Sequence, residues 1–234
     1  MGLDSYGRTE REGQIVLVRT RQETDGTAPC WLKARSRSLL ILSVIWVGVA
    51  GFGLSWMWEY ESTPGALTVA PATWPADSGI KPSEGLSTLL VFAHPRCPCT
   101  RASIGELSRI MTRCYGQLDV QVWFFTPEGA AADWATTDLW HAARKIPGVC
   151  VARDPGGLEA EKFHALTSGH SMLYDATGHL LFSGGITASR GHAGDNLGKS
   201  SIEALVLGES AYQEKTLVFG CPLNGHEAKD GSEI

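Results

Sequence analysis

Leu89-Leu90-Val91-Phe92-Ala93-His94-Pro95-Arg96-Cys97-Pro98-Cys99-Thr100 places two thiols one residue apart, between an apolar run and a segment with helical spacing. Leu89–Ala93 is a short continuous apolar stretch of strand length. From Thr100 onward Ile104, Leu107, Ile110, Met111 and Cys114 recur at three and four, the period of one helix face, and Gly116 is placed to end the helix. The thiols therefore fall at a strand-to-helix junction. Free backbone N–H groups and the positive end of the helix dipole both favour a thiolate there, the form of cysteine that attacks disulfides and binds soft metals.

The pattern continues outward from that junction. Val120, Val122 and Phe124 alternate within Leu118–Phe125, which predicts a second strand. A helix over Asp138–Ile146 is stopped by Pro147, and Gly148–Ala152 is a short apolar strand candidate. Asp154-Pro155-Gly156-Gly157 is a turn before a short helix through Phe163. Ser171–Asp175 and His179–Ser183 form a hairpin candidate around Ala176-Thr177-Gly178, and Ser200 with Glu203 has capping-box spacing for a last helix to about Ala211. The order β-α-β-α-β-α-β-β-α predicts an α/β sandwich around a mixed sheet, because strands separated by helices pair in parallel and a hairpin pairs antiparallel.

Ahead of this domain the run Leu39–Trp58 carries no charge and is long enough to cross a bilayer core as a helix. Lys33, Arg35 and Arg37 precede it, Glu59 and Glu61 follow, and the next basic residue is Lys81. By the positive-inside rule the N-terminus is cytoplasmic and the thiol domain lies outside, with Trp56, Trp58 and Tyr60 at the outer headgroup level. An uncleaved anchor is favoured over a cleaved signal peptide. A long polar segment precedes the run, the run exceeds a usual signal core, and no small-x-small site occurs at Ser55 to Tyr60. The expected organisation is a cytoplasmic tail at 1–38, a single span of the inner (cytoplasmic) membrane at 39–58, a proline-containing linker at 59–84, a periplasmic domain at 85–221, and a polar tail at 222–234.

A net charge of −5 with no basic stripe argues against a nucleic-acid partner. Ala193-Gly194-Asp195-Asn196-Leu197-Gly198-Lys199-Ser200 misses a phosphate-binding loop at its first glycine, where Ala193 stands. Of the six cysteines, Cys30 precedes the span, which leaves Cys97, Cys99, Cys114, Cys150 and Cys221 in an oxidising space. That number is odd, so at least one thiol is free, metal-bound or paired with another protein. Cys221, beyond the last helix, is open to a structural bridge with Cys114 or Cys150, or to service at the site as an additional resolving thiol. Cys114 on an apolar helix face and Cys150 in an apolar strand each also suit a buried free thiol.

The strand, the Phe92-Ala93-His94-Pro95-Arg96-Cys97-Pro98-Cys99-Thr100 junction, the helix and the late hairpin Met172-Leu173-Tyr174-Asp175-Ala176-Thr177-Gly178-His179-Leu180-Leu181 resemble the thioredoxin superfamily, particularly membrane-anchored, outward-facing members of the TlpA or RedB type. The resemblance covers roughly residues 85–212. It implies a thioredoxin-like three-layer sandwich with a mixed central sheet, and a thiol–disulfide oxidoreductase in which Cys97 attacks and Cys99 resolves, acting on protein thiols and disulfides without a cofactor. The electron donor is not identified by the residues. Two features depart from the usual family pattern: one residue instead of two separates the cysteines, which brings Arg96 to the usual nucleophile position if the helix side is aligned, and Gly169-His170-Ser171 stands where a cis-proline usually precedes the hairpin.

Arg96, His94, His170 and Arg190 are the candidate supporting residues, Arg190 through electrostatic stabilisation of a thiolate. The missing proline leaves a second function open, a Cu(I)-binding or delivery protein on the same fold. Soft thiolates select Cu(I), and His94, His170 or His192 is a candidate further ligand, with Cys97, Cys99 and His192 as the candidate set. A non-catalytic thioredoxin-like interaction domain is the third.

Overall fold

The computed structural model describes residues 30–66, 68–131 and 133–223, so most of the expected tails at 1–38 and 222–234 lies outside the described residues. The chain divides into two units at Gly53/Leu54. The division falls inside the first helix, α1 (Cys30–Ser62), in which Ser38–Ser62 is long and apolar enough to cross a membrane. Its apolar side chains from Leu39 to Met57 are exposed instead of packed into a core, which suits a single-pass anchor near the N-terminus.

The second unit contains β1 (Ser87–Ala93), α2 (Thr100–Cys114), β2 (Leu118–Thr126), α3 (Asp138–Arg144), β3 (Val149–Pro155), α4 (Leu158–Lys162), β4 (His170–Tyr174), β5 (Leu180–Gly184) and α5 (Leu197–Val206). The five strands form one sheet in the order β3-β2-β1-β4-β5. β1 is central, parallel to β2 with Val91 opposite Val122, and antiparallel to β4 with Leu90 opposite Met172. Both faces of β1 are therefore covered, which is why its sequence is a continuous apolar run instead of an alternation. Leu89, Val91 and Ala93 join a core with Leu107, Ile110 and Met111 of α2, Leu139 and Ala143 of α3, and Ile202 of α5. Leu90 and Phe92 point the other way, into a second core with Ala160, Phe163, Met172 and Tyr174. Helices on one face, the mixed sheet, and α4 with flanking chain on the other face make the expected three layers.

Part of the expected linker belongs to this third layer. Ala70 and Ile80 are buried in the second core, Trp74 packs edge-on against Phe163 and Tyr174, and the Tyr174 hydroxyl donates to the Pro71 carbonyl at 3.0 Å. Apolar residues among the prolines thus close the open face of the sheet.

Two local expectations are corrected. The last helix begins at Leu197 instead of Ser200, because Asn196 caps it through Oδ1, accepting the Lys199 N–H at 2.8 Å. Glu203 leaves the capping role and meets Arg113 on α2 at 3.1 Å. The earlier start depends on Gly198, where an added Cβ would come within 2.0 Å of the Gly185 carbonyl oxygen. The second correction concerns Cys150, which is exposed because β3 is an edge strand that is only partly covered.

Candidate functional site

The site forms where β1 ends. From His94 the backbone tightens, with Cys97 N–H donating to the His94 carbonyl and Thr100 N–H to the Cys97 carbonyl, both at 3.1 Å, before α2 proper begins. Cys99 is already in helical conformation at the N-cap and makes no side-chain cap bond. This geometry hides both thiols: Cys97 is 1% and Cys99 6% exposed.

A third thiol comes from the far end of the chain. Cys221 Sγ lies 3.0 Å from Cys97 Sγ, and the sulfurs of Cys97, Cys99 and Cys221 all lie within 4.8 Å of one another. Backbone pairing brings it there. Ser168 N–H donates to the Cys221 carbonyl and Leu223 N–H to the Leu166 carbonyl, each at 2.8 Å, so residues 221–223 run antiparallel to 166–168 like an added strand. Gly220 permits the approach, since a Cβ at that position would sit 1.9 Å from the Ser168 carbonyl oxygen. Leu223 anchors the segment in the second core.

The electrostatics separate the three sulfurs. Cys97 is lowered from an ordinary 9.0 to about 4, first by hydrogen bonding from the Cys221 side chain, assisted by the Cys221 N–H and by the Thr100 hydroxyl and N–H; burial opposes the shift. Donors converging on one sulfur favour its anion. Burial raises Cys99, the Cys97 charge adds to that, and Arg190 opposes it through charge and a hydrogen bond. Cys221 is driven well above the ordinary range by the hydrogen bond it gives to Cys97 and by burial. At neutral pH the arrangement is one thiolate, Cys97, between two thiols.

Arg190 lies beside Cys99. Its Nη1 donates to the Gly220 carbonyl at 2.7 Å and its Nε to the Thr63 carbonyl at 3.1 Å, and the guanidinium lies 5.1 Å from the Tyr60 ring centre. One side chain therefore both faces Cys99 and holds the segment that delivers Cys221. His94 borders the site: its N–H donates to Ser168 Oγ at 2.8 Å, and its ring stacks on Phe125. Burial lowers its imidazole, the Cys97 charge raises it and Arg96 lowers it again. The Arg96 guanidinium lies 4.4 Å above the Trp134 ring.

The remaining candidates are not brought together with the thiols. His170 is buried on β4, its Nε2 2.9 Å from Ser183 Oγ, and burial lowers it to about 4. His192 is exposed, and the candidate metal set Cys97, Cys99 and His192 is not assembled; among the described residues Cys221 supplies the third donor instead. Cys114 is sealed in the first core, where burial raises its thiol, and Cys150 is exposed, so neither lies with Cys221. Thr100 and Ser168, joined by a 2.7 Å hydroxyl contact beneath Cys97, were not singled out from the sequence. A hydroxyl directly after the second cysteine at a helix start was the available signal for Thr100, whereas Ser168 had none.

No protein-family model and no curated protein matches the chain. Solved structures do. A hypothetical protein from Sinorhizobium meliloti 1021 is 16% identical with a TM-score of 0.54, over 70% of this chain and 98% of that one. A secreted Mycobacterium tuberculosis disulfide oxidoreductase homologous to E. coli DsbE is 14% identical, TM-score 0.40, over 53% of this chain and 83% of that one. Copper-bound ScoI from Bradyrhizobium japonicum is 13% identical, TM-score 0.35, over 46% of this chain and 80% of that one. The sheet order, the parallel β1–β2 pair and the late antiparallel hairpin give a thioredoxin-like fold.

Proposed function

We propose that this thioredoxin-like chain is a membrane-anchored thiol–disulfide oxidoreductase whose nucleophile is Cys97. The observation that carries the proposal is the thiolate pocket. Cys97 stands at the strand-to-helix junction with Cys221 Sγ 3.0 Å away, the sulfurs of Cys97, Cys99 and Cys221 all lie within 4.8 Å of one another, and the Cys221 contact lowers Cys97 well below an ordinary thiol. A stabilised thiolate attacks a disulfide and also leaves readily from one, so the pocket serves exchange in either direction. Cys99, raised by burial and by the Cys97 charge, is the second thiol of the Cys-Pro-Cys pair, and Cys221 is a further thiol placed to resolve a mixed disulfide on Cys97. The substrates are protein thiols and disulfides. Lys33, Arg35 and Arg37 before the uncharged run Leu39–Trp58, and Glu59 and Glu61 after it, support a cytoplasmic N-terminus and a periplasmic site.

The test is turnover of a disulfide-bonded model protein by the full chain in detergent, with excess reduced glutathione as electron donor. Cys97→Ser is expected to abolish turnover, and turnover is expected to need at least one of Cys99 and Cys221 to resolve the mixed disulfide. Full activity in Cys97→Ser would overturn the assignment.

Three gathered sulfurs also favour a second function, Cu(I) binding. The donor set fits that ion, since soft thiolates select it, and Cys97, Cys99 and Cys221 would hold it. Copper would supply a thiophilic charge to be passed to another thiolate site. Stoichiometric Cu(I) uptake against a chromophoric competitor, lost in both Cys97→Ser and Cys221→Ser, supports this function; uptake unaffected by either substitution excludes it at this site.

A further inference from the structure

We infer that Cys221 is the thiol that resolves Cys97, so that the oxidised protein carries a Cys97–Cys221 disulfide that pins the C-terminal segment across the site. The inference rests on the exchange function proposed above and chooses between the two thiols that could resolve the nucleophile.

Geometry distinguishes the two candidate pairs. Cys97 and Cys99 occupy one tight turn, with Cys99 in helical conformation, and side chains two apart on a helical turn do not face each other. Their sulfurs lie within 4.8 Å, but a bond between them would close a ring across a single residue, where ordinary disulfide geometry is hard to reach. Cys97 and Cys221 already stand with their sulfurs 3.0 Å apart, so closing to the ~2.05 Å of a disulfide needs about 1 Å of side-chain movement. The segment bearing Cys221 is also built in. The two backbone hydrogen bonds to residues 166–168, the Arg190 contact to the Gly220 carbonyl, the Gly65 N–H bond to the Val218 carbonyl at 2.8 Å and the buried Leu223 hold it in register over Cys97. Of the three sulfur-bearing residues Cys221 is the least buried, which makes it the natural point of contact with a partner.

The chemistry balances as follows. With the segment displaced, the Cys97 thiolate attacks a partner protein disulfide; a Cys97–partner bond forms, the partner's S–S bond breaks and one partner thiolate leaves. Cys221 then loses its proton and attacks Cys97 Sγ. The Cys97–Cys221 bond forms and the second partner sulfur leaves as a thiolate. Two electrons pass from the Cys97 thiolate and the Cys221 thiol to the partner disulfide; one partner sulfur takes up the Cys221 proton and the other a proton from solvent. In the reverse direction a partner thiolate attacks Cys97 Sγ and Cys221 leaves, and the second partner thiolate then attacks the partner sulfur of that mixed disulfide, so that Cys97 departs as its stabilised thiolate. The segment 219–223 thus acts as a strap, closed by oxidation and released by reduction.

The experiment equilibrates the full chain in detergent, free of metal, in glutathione redox buffers, followed by acid quench, alkylation and peptide mass spectrometry. Loss of alkylation at Cys97 and Cys221 together, with Cys99 still labelled, and its reversal at higher reduced glutathione, is the expected result. Cys99→Ser is expected to keep that bond. A reversible Cys97–Cys99 bond with Cys221 labelled throughout would overturn the inference while leaving the exchange function standing. A Cys97–Cys221 bond that glutathione does not reduce would be a staple and would overturn both. Hydrogen exchange of the unsubstituted protein provides a readout independent of any variant's folding: the Ser168 and Leu223 amides are expected to exchange more slowly in the oxidised form, and equal rates in both forms would refute the strap.

Discussion

Thr100→Val removes one of the donors that hold Cys97 as a thiolate and keeps the side-chain shape. Thr100 is 1% exposed, its hydroxyl reaches Cys97 and Ser168 Oγ, and Ser168 retains the His94 N–H as a partner after the substitution. Cys97 stands at about 4 with Cys221 and Thr100 each contributing a side-chain and a backbone donor. A hydrogen bond to a charged group contributes about 1.5–3 kcal/mol. At about 1.4 kcal/mol per pH unit, losing one such bond displaces the titration by about 1–2 units, to a midpoint of roughly 5–6. The assay is thiolate ultraviolet absorbance of the reduced full chain in detergent as a function of pH, with Cys97→Ser as the blank. Because the backbone N–H groups and Cys221 remain, the midpoint should stay well below that of an ordinary thiol. A Thr100→Val midpoint equal to that of the unsubstituted protein would refute the claim that the turn after Cys99 tunes the nucleophile.

Stability should follow the same group. The folded value of Cys97 lies below its unfolded value, so between about pH 4 and pH 9 the unfolded chain binds the extra proton and stability rises with pH. The contribution is fully present above the unfolded value and is lost as pH falls through about 4. His94 and His170, both lowered, add slope of the same sign below about 6.5, so the quantity to measure is the difference between unsubstituted and Cys97→Ser proteins in denaturant titrations. That difference should grow by up to about 1.4 kcal/mol per pH unit between roughly pH 5 and pH 8, and a pH-independent difference would exclude a folded-state thiolate. Gly220→Ala places a methyl 1.9 Å from a backbone oxygen, which cannot yield as a side chain would. We expect a loss of about 1–3 kcal/mol in thermal melts and an upward displacement of the Cys97 titration as Cys221 withdraws; neither change would mean the segment does not depend on this close approach.

The sequence alone was enough for the elements built from short-range patterns. Leu89–Ala93 read as a strand from its length and apolar character, the three-and-four spacing from Ile104 to Cys114 defined α2, and the two thiols at the junction followed from placing these elements end to end. The uncharged run in α1 was equally legible, because a bilayer-length helix is a property of consecutive residues. Legibility failed where a backbone partner decided the outcome. Ser200 and Glu203 had capping spacing, but Gly198 under the Gly185 carbonyl and the Arg113–Glu203 pair moved the start of α5. Linker prolines concealed Ala70, Trp74 and Ile80, whose value lies only in the open sheet face they cover. Most of all, tertiary structure decided which groups join Cys97. Cys221 is 124 residues away, and its place depends on antiparallel pairing with Leu166–Ser168, a glycine-permitted approach and an arginine from a third loop. Periodicity reports neighbours within a helical turn or a strand. It carries no information about which distant segment completes a sheet edge, so the thiol pair was visible in the chain and its environment was set by the fold.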